Sequence, residues 1–352
     1  MNKTSDKPVS GKKRFLWAFL FLVLAALSVW AVSSQAKDFS PRRFFAYLEH
    51  NNPWWLAAAF LSMLAYIGFN ALMIHCLLKD FGYRRSHLQC VSYSAADIYF
   101  SAITPSATGG QPMEAYFMIK DGVPAVISTV VLLTYSLLYT VSILIIGLVC
   151  LVLVPSSFLA FGTVSRIFIG VGAVIQTALA LLYGMLLWNK SLLRKVLDWV
   201  LRVLGKLRII RNVEDRREKL RAHMDQYAAA TELLKGRRKL LLKTLLLNLA
   251  HRISQLLVTV FCFLAGGGPP PLAAKLFAMQ SNVVVGSCCI PIPGSMGVTD
   301  LLMLDGFSSL MNEGQAANLE LLSRFISFYI CVLLCGLIVL TTYLIIRFRR
   351  ER

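Results

Sequence analysis

Thr104-Pro105-Ser106-Ala107-Thr108-Gly109-Gly110-Gln111-Pro112-Met113-Glu114-Ala115-Tyr116 is a polar island, punctuated by glycine and proline, in a sequence whose other long stretches are apolar. A second island, Pro291-Ile292-Pro293-Gly294-Ser295-Met296-Gly297-Val298-Thr299-Asp300, echoes it near the other end. From its first proline, each carries two glycines and reaches a carboxylate nine positions on, Glu114 in one and Asp300 in the other. Hydrocarbon tolerates irregular backbone only where protein or a water-filled cavity satisfies its hydrogen bonds. Two such islands in one membrane chain therefore predict a polar site within the bilayer.

The surrounding sequence makes this a membrane chain. Of its 352 residues 57% are hydrophobic and 15% charged, where a soluble domain carries roughly a quarter charged residues. Leu56–Leu78, Ala125–Val154, Ile167–Trp188, Leu245–Leu264 and Arg324–Ile346 are apolar runs that match the roughly 20 residues a crossing helix needs. Phe15–Val32, behind Lys12-Lys13-Arg14, exceeds the ~7–15 residue core of a signal peptide and reads as a retained anchor. Val91–Ile103 and Met113–Ile119 flank the first island, and Leu272–Ile290 and Val298–Met311 the second; each is too short or too polar to cross alone. The expected fold is all-α: a polytopic helical membrane protein with about six full spans and two broken or re-entrant helix pairs.

Charge orients it. The formal net charge is +18, and Asn189–Lys243 alone holds sixteen Lys/Arg against six Asp/Glu. With Lys79, Arg84 and Arg85 in one loop and Arg347, Arg349, Arg350 and Arg352 at the end, the positive-inside rule puts these segments and both termini in the cytoplasm. Residues 56–154 then form a unit that enters its island from the cytoplasm, and 245–346 a unit that enters from outside. That is the pattern of an inverted repeat with a site where broken helices meet. Within 189–243, Leu193, Val196, Leu197, Val200, Val203, Leu204 and Leu207, and again Val213, Leu220, Met224, Tyr227, Thr231 and Leu234, follow three-and-four spacing. This predicts two amphipathic helices on the inner membrane surface.

Some chemistries have no residues to carry them. Aromatics are not interleaved with the basic runs as a nucleic-acid stacking platform requires. The eight cysteines form no paired CxxC motif and the five histidines no HExxH, so neither metal nor cofactor is expected. No phosphate-binding P-loop and no nucleophile–base pair is visible, so no catalytic residue is assigned.

The candidate binding residues fall in three groups. In the first island Gly109 and Gly110 let the backbone turn and approach a ligand, Ser106, Thr108 and Gln111 offer neutral hydrogen bonds, Glu114 a charge, and Tyr116 closes the motif. Pro112 suits the first turn of the next helix, whose N-terminus favours a phosphate. Asn248, His251, Arg252 and Gln255 share one face of a spanning helix by spacing, and an arginine two turns inside a span is a functional hypothesis by default. In the second island Gly294 and Gly297 shape the turn, and Asp300 either caps the next helix or meets substrate. Arg324 can pair with Asp300, hold a phosphate or anchor at the interface. Asn70 reads as interhelical glue.

The two islands, with Leu322-Ser323-Arg324-Phe325-Ile326-Ser327-Phe328-Tyr329, resemble the flippase-like transmembrane domain of lysylphosphatidylglycerol synthetases over nearly the whole chain. The most specific parts are Gly109-Gly110-Gln111-Pro112 and Pro291–Asp300. Family members often carry Pro-x-Pro-Gly-Gly-x-Gly-x-x-Glu in the second island; here Ser295 replaces the second glycine of the pair and Asp300 the glutamate. The resemblance implies translocation of a phospholipid across the bacterial plasma membrane, with aminoacylated phosphatidylglycerol such as lysylphosphatidylglycerol, or a related anionic or zwitterionic lipid, as partner. It also implies a contribution to surface charge and resistance to cationic antimicrobial peptides. In the family, aminoacyl transfer belongs to a separate cytosolic domain, and the expectation here is a stand-alone transmembrane member. Two alternatives remain: lysyl transfer from lysyl-tRNA to phosphatidylglycerol, and a membrane scaffold acting through the basic segment.

Overall fold

Apolar length makes the helices of this protein, and capping residues set where they start. The computed structural model describes residues 51–104, 108–189, 191–195, 198–199, 202, 226–232, 234–287 and 297–351. The expected span Phe15–Val32, residues 105–107 of the first island and residues 291–296 of the second lie outside them. Helix α1 (Pro53–Asp80) begins where the Asn52 side chain accepts from Trp54 N–H at 3.0 Å, with proline in its first turn. Helix α2 (His87–Ile103) opens on a reciprocal cap, with Gln89 N–H donating to Ser86 Oγ and Ser86 N–H to Gln89 Oε1. There follow α3 (Gly110–Lys120), α4 (Ala125–Leu153), a short α5 (Ser156–Leu159) and α6 (Thr163–Trp188). Beyond the basic segment come α7 (Arg238–Ala265), α8 (Ala273–Ser287), α9 (Val298–Phe307) and α10 (Glu313–Arg324). A π-helical stretch, Phe325–Ile330, joins α10 to α11 (Cys331–Glu351).

Five helices among the described residues are long and apolar enough to cross a membrane: α1, α4, α6, α7 and the continuous rod Glu313–Ile345. The last begins earlier than the expected Arg324, because Asn312 caps α10 and the backbone then runs on without a break. Large apolar side chains such as Leu148 (63% exposed), Val174 (70%) and Leu333 (66%) face outward, which water would penalise and lipid does not. The protein is an all-helical, multi-pass membrane protein.

Helices α1 and α7 form the central pair, with the most extensive packing in the molecule. They run antiparallel and are pinned at both ends. Asn52 N–H donates to the Ala265 carbonyl at 2.9 Å at one end, and Arg237 Nη1 to the Asp80 carbonyl at 2.9 Å at the basic end. The hairpin α2–α3 packs on α1 and on α11, and the hairpin α8–α9 on α7, α4 and α6. Each hairpin thus lies between the central helix on its own side of the sequence and a span of the other half.

The basic segment departs from expectation. Leu193, Tyr227, Ala230 and Leu234 are buried against Val130, Leu186 and Leu187 of α4 and α6, so in the described part the apolar face covers protein and not lipid. Tyr227 Oη donates to the Leu186 carbonyl at 2.8 Å, near the end of α6, where helix carbonyls lack intrahelical donors. Burial pushes its phenol up to about 12, so it stays a donor. Tyr227→Phe should lower stability by about 1 kcal/mol, the net worth of one such bond. Thermal unfolding in detergent micelles reads the loss.

Candidate functional site

Tyr66, Tyr139 and Arg252 each stand at the midpoint of a spanning helix, in α1, α4 and α7 respectively. The Arg252 guanidinium, 3% exposed, lies 3.6 Å above the centroid of the Tyr139 ring, a close cation–π contact. Its Nη1 donates to Gln255 Oε1 one turn along α7. Burying an arginine at mid-helix costs roughly 2.5–3.5 kcal/mol in bilayer insertion, so the ring and the amide offset part of a substantial penalty.

The first hairpin brings carboxylates to this centre. Asp97 of α2 accepts from Ser101 Oγ at 3.3 Å and from Tyr135 Oη of α4 at 3.4 Å, and its charge is within reach of both Arg252 and Glu114. Glu114 of α3 is completely buried, and among the described residues neither of its oxygens has a hydrogen-bond partner. An ionised carboxylate left so is expensive; the position suits a proton or a passing cation. Gln111 Nε2 donates to Ser136 Oγ, tying α3 to α4.

Glycine is what lets these groups converge. A Cβ on Gly110 would run into Ser101 Oγ and Asp97 Oδ1 and come within 2.7 Å of the Asp97 carbonyl. Gly109 N–H donates to Thr104 Oγ1 at 2.9 Å, closing the turn between α2 and α3.

Beside Arg252 on the same face, α7 presents polar residues to α1. Tyr66 stacks on His251 with centroids 4.2 Å apart, and the Tyr66 carbonyl lies 2.7 Å from His251 Nδ1. Asn248 Nδ2 lies 3.4 Å from Met73 Sδ. Asn248 Oδ1, His251 Nε2 and both amide atoms of Asn70 are buried without partners among the described residues. Among the described residues Asn70 thus makes no interhelical hydrogen bond.

The second cluster sits one helix segment away. Asp300 Oδ2 accepts from Gly297 N–H at 3.0 Å, capping α9, while Oδ1 pairs with Arg324 Nη2 at 2.8 Å. Gly297 holds φ +78°, a conformation L side chains rarely adopt. Arg324, 9% exposed, also lies 3.7 Å from Glu320 Oε1 and 5.5 Å from the Phe328 centroid. Ser323 Oγ and Thr259 Oγ1 are 2.6 Å apart, which seats α10 on α7 about 10 Å beyond Arg252 by helix rise.

The family model described as "Lysylphosphatidylglycerol synthase TM region" matches residues 16–335. The chain belongs to that family. It is also similar to a protein of Pyrococcus horikoshii described as a UPF0104 membrane protein, 22% identical over 291 residues, covering 77% of this chain and 82% of the relative.

Of the residues the sequence nominates in this synthase-TM-region chain, Gly110, Gln111 and Glu114 lie together in the first hairpin, and Arg252 and Gln255 meet at Tyr139 of α4. Gly109 is in the turn, and Asn248 and His251 face α1. Gly297, Asp300 and Arg324 form the separate second cluster. Thr108 is exposed, and Tyr116, 42% exposed, packs edge-on against Phe117 away from buried Glu114. Ser106 and Gly294 lie outside the described residues. Asp97, Tyr135, Tyr139 and Glu320 belong to the two clusters without having been nominated by sequence. Asp97 carries a signal: an acid four residues before Ser101 in an apolar segment. The tyrosines carry none, since an aromatic in a span is usually packing.

Proposed function

We propose that this protein moves a phospholipid between leaflets of the bacterial plasma membrane, with an anionic or aminoacylated phosphatidylglycerol as substrate and the basic end of the bundle in the cytoplasm. The observation that carries the reading is a buried cation and a buried carboxyl on adjoining elements: Arg252 over Tyr139 at mid-span, and Glu114 in the first hairpin, whose oxygens have no hydrogen-bond partner among the described residues. A lipid headgroup bearing phosphate and amine presents complementary charges, so passage through such a centre spares it crossing bare hydrocarbon. The similar seating of the two hairpins supports an inverted arrangement of 56–154 and 245–346, in which one hairpin opens toward each face. Exporting an aminoacylated lipid would lower the negative charge of the outer surface and weaken its attraction for cationic peptides.

Proteoliposomes with labelled lysylphosphatidylglycerol, phosphatidylglycerol and phosphatidylethanolamine test this. Wild-type protein should accelerate leaflet exchange of at least one of the two phosphatidylglycerols. Glu114→Gln, nearly isosteric, should slow that exchange about tenfold, equivalent to about 1.36 kcal/mol in the barrier, with thermal stability kept or raised because an uncompensated carboxyl is gone. Exchange no faster than in empty vesicles for both phosphatidylglycerols rejects the proposal, whatever phosphatidylethanolamine does.

A further inference from the structure

A cleft of about 430 Å³ opens between the basic ends of α1 and α7, lined by Cys76, Lys79, Asp80, Arg237, Leu240 and Lys243. Its volume lies within the ~300–1,000 Å³ of small-molecule sites, and cations supply three of its six lining residues. Arg237 is already engaged: it is ion-paired with the Asp80 carboxylate and donates to the Asp80 carbonyl. Its guanidinium therefore serves as a pin between the two helices. The ammonium groups of Lys79 and Lys243, one from each helix, have no ion-pair partner among the described residues. Lys79 and Lys243 are solvent-exposed and line one concavity; two like charges on one cleft repel each other, and an anion between them relieves the repulsion.

The geometry points to a docking site for the phosphate of a membrane lipid headgroup, held by Lys79 and Lys243. Its position selects the lipid source. The cleft lies at the last turn of α1 and the first turns of α7, the depth at which a spanning helix meets the phosphates of one leaflet. It also lies at the foot of the seam between α1 and α7. From Lys243 the buried polar residues Thr244, Asn248, His251 and Arg252 climb α7 turn by turn, about 13 Å along the axis. The buried atoms of Asn70, Asn248 and His251 that have no hydrogen-bond partner among the described residues lie along the same seam. A headgroup or water entering from the cleft would satisfy these atoms. That the cleft loads the Arg252 centre rests on the translocation reading; that it binds phosphate does not.

Cys76 supplies a reporter inside the cleft. It is half-buried, whereas the other described free cysteines are buried, and peptide mass spectrometry isolates its rate of maleimide labelling. The full chain in detergent is titrated with dihexanoyl-phosphatidylglycerol, phosphate-free dihexanoylglycerol, and inorganic phosphate. Phosphatidylglycerol should slow labelling at Cys76, and dihexanoylglycerol should not. Lys79→Gln with Lys243→Gln should raise the half-protecting concentration about tenfold, and Lys79→Arg with Lys243→Arg should preserve protection. Protection by dihexanoylglycerol, no protection by any probe, or undiminished protection in the glutamine pair overturns the site. Inorganic phosphate as effective as the lipid overturns the lipid source and leaves a soluble phosphate in its place. Arg252→Gln should leave the protection intact, so a failure of lipid exchange and a failure of this site are separable.

Discussion

Gly110→Ala should unfasten the first hairpin. The added methyl meets the Ser101 hydroxyl, the Asp97 carboxylate and the Asp97 carbonyl at once, and none of these is the free end of a long side chain that can swing aside. Relief requires α3 to move off α2, which breaks the packing that buries Glu114 and withdraws Asp97 from Tyr135. Overpacking of a filled interior costs about 1–3 kcal/mol and sometimes more; three close contacts, one of them backbone, put this substitution at about 3 kcal/mol. Gly68→Ala and Gly170→Ala are the controls, because a Cβ there meets nothing within 4 Å. They should gain up to about 1 kcal/mol from helix propensity. Thermal unfolding in micelles measures all three. The control gains with no Gly110 loss would mean that the hairpin does not need close approach at that position. Lipid exchange should fall with Gly110→Ala and hold in the controls.

The islands are legible in the sequence because irregular backbone inside apolar surroundings is so costly that something must accommodate it. Glycine pairs, prolines and a carboxylate at equal spacing mark both hairpins, and the apolar runs mark the described spans, the last of which starts earlier than its apolar run. Arg252 is legible for the same reason: a buried charge in a span is too expensive to be idle. Its surroundings are not. Tyr139 is one aromatic among many in apolar helices, and only the packing of α4 on α7 makes it the ring beneath the guanidinium. Asp97 carries a weaker signal, an acid one turn before Ser101 in the helix that leads into the polar island, and no motif marks it. Tyr227 shows a different limit. Its three-and-four pattern marks an apolar face, but periodicity does not say whether lipid or protein covers that face, and the ends of α4 and α6 cover it here.

Arg324→Met should be the most damaging change in the second half of the chain, and a charge-balanced rescue distinguishes why. Arg324 is the shared cation of two carboxylates, Asp300 at 2.8 Å and Glu320 at 3.7 Å. Its removal leaves both carboxylates, partly buried, without that cation. Breaking a buried pair from one side costs about 3–5 kcal/mol, mostly the stranded charge and not the lost attraction. The Asp300 side chain keeps 28% exposure, so water screens part of the penalty and the expected loss is about 3 kcal/mol. Adding Asp300→Asn and Glu320→Gln to Arg324→Met should then restore most of the lost melting temperature. The amide introduced by Asp300→Asn still offers an oxygen to Gly297 N–H, so the cap of α9 survives. A triple variant no more stable than Arg324→Met would assign the loss to packing over Phe328 and not to charge. In the translocation reading the two outcomes differ for lipid movement as well. If charge is what Arg324 supplies, the triple variant holds the α9–α10 contact permanently neutral. It should then be well folded and still slow in lipid exchange, because a latch that carries no charge cannot exchange partners with a passing headgroup.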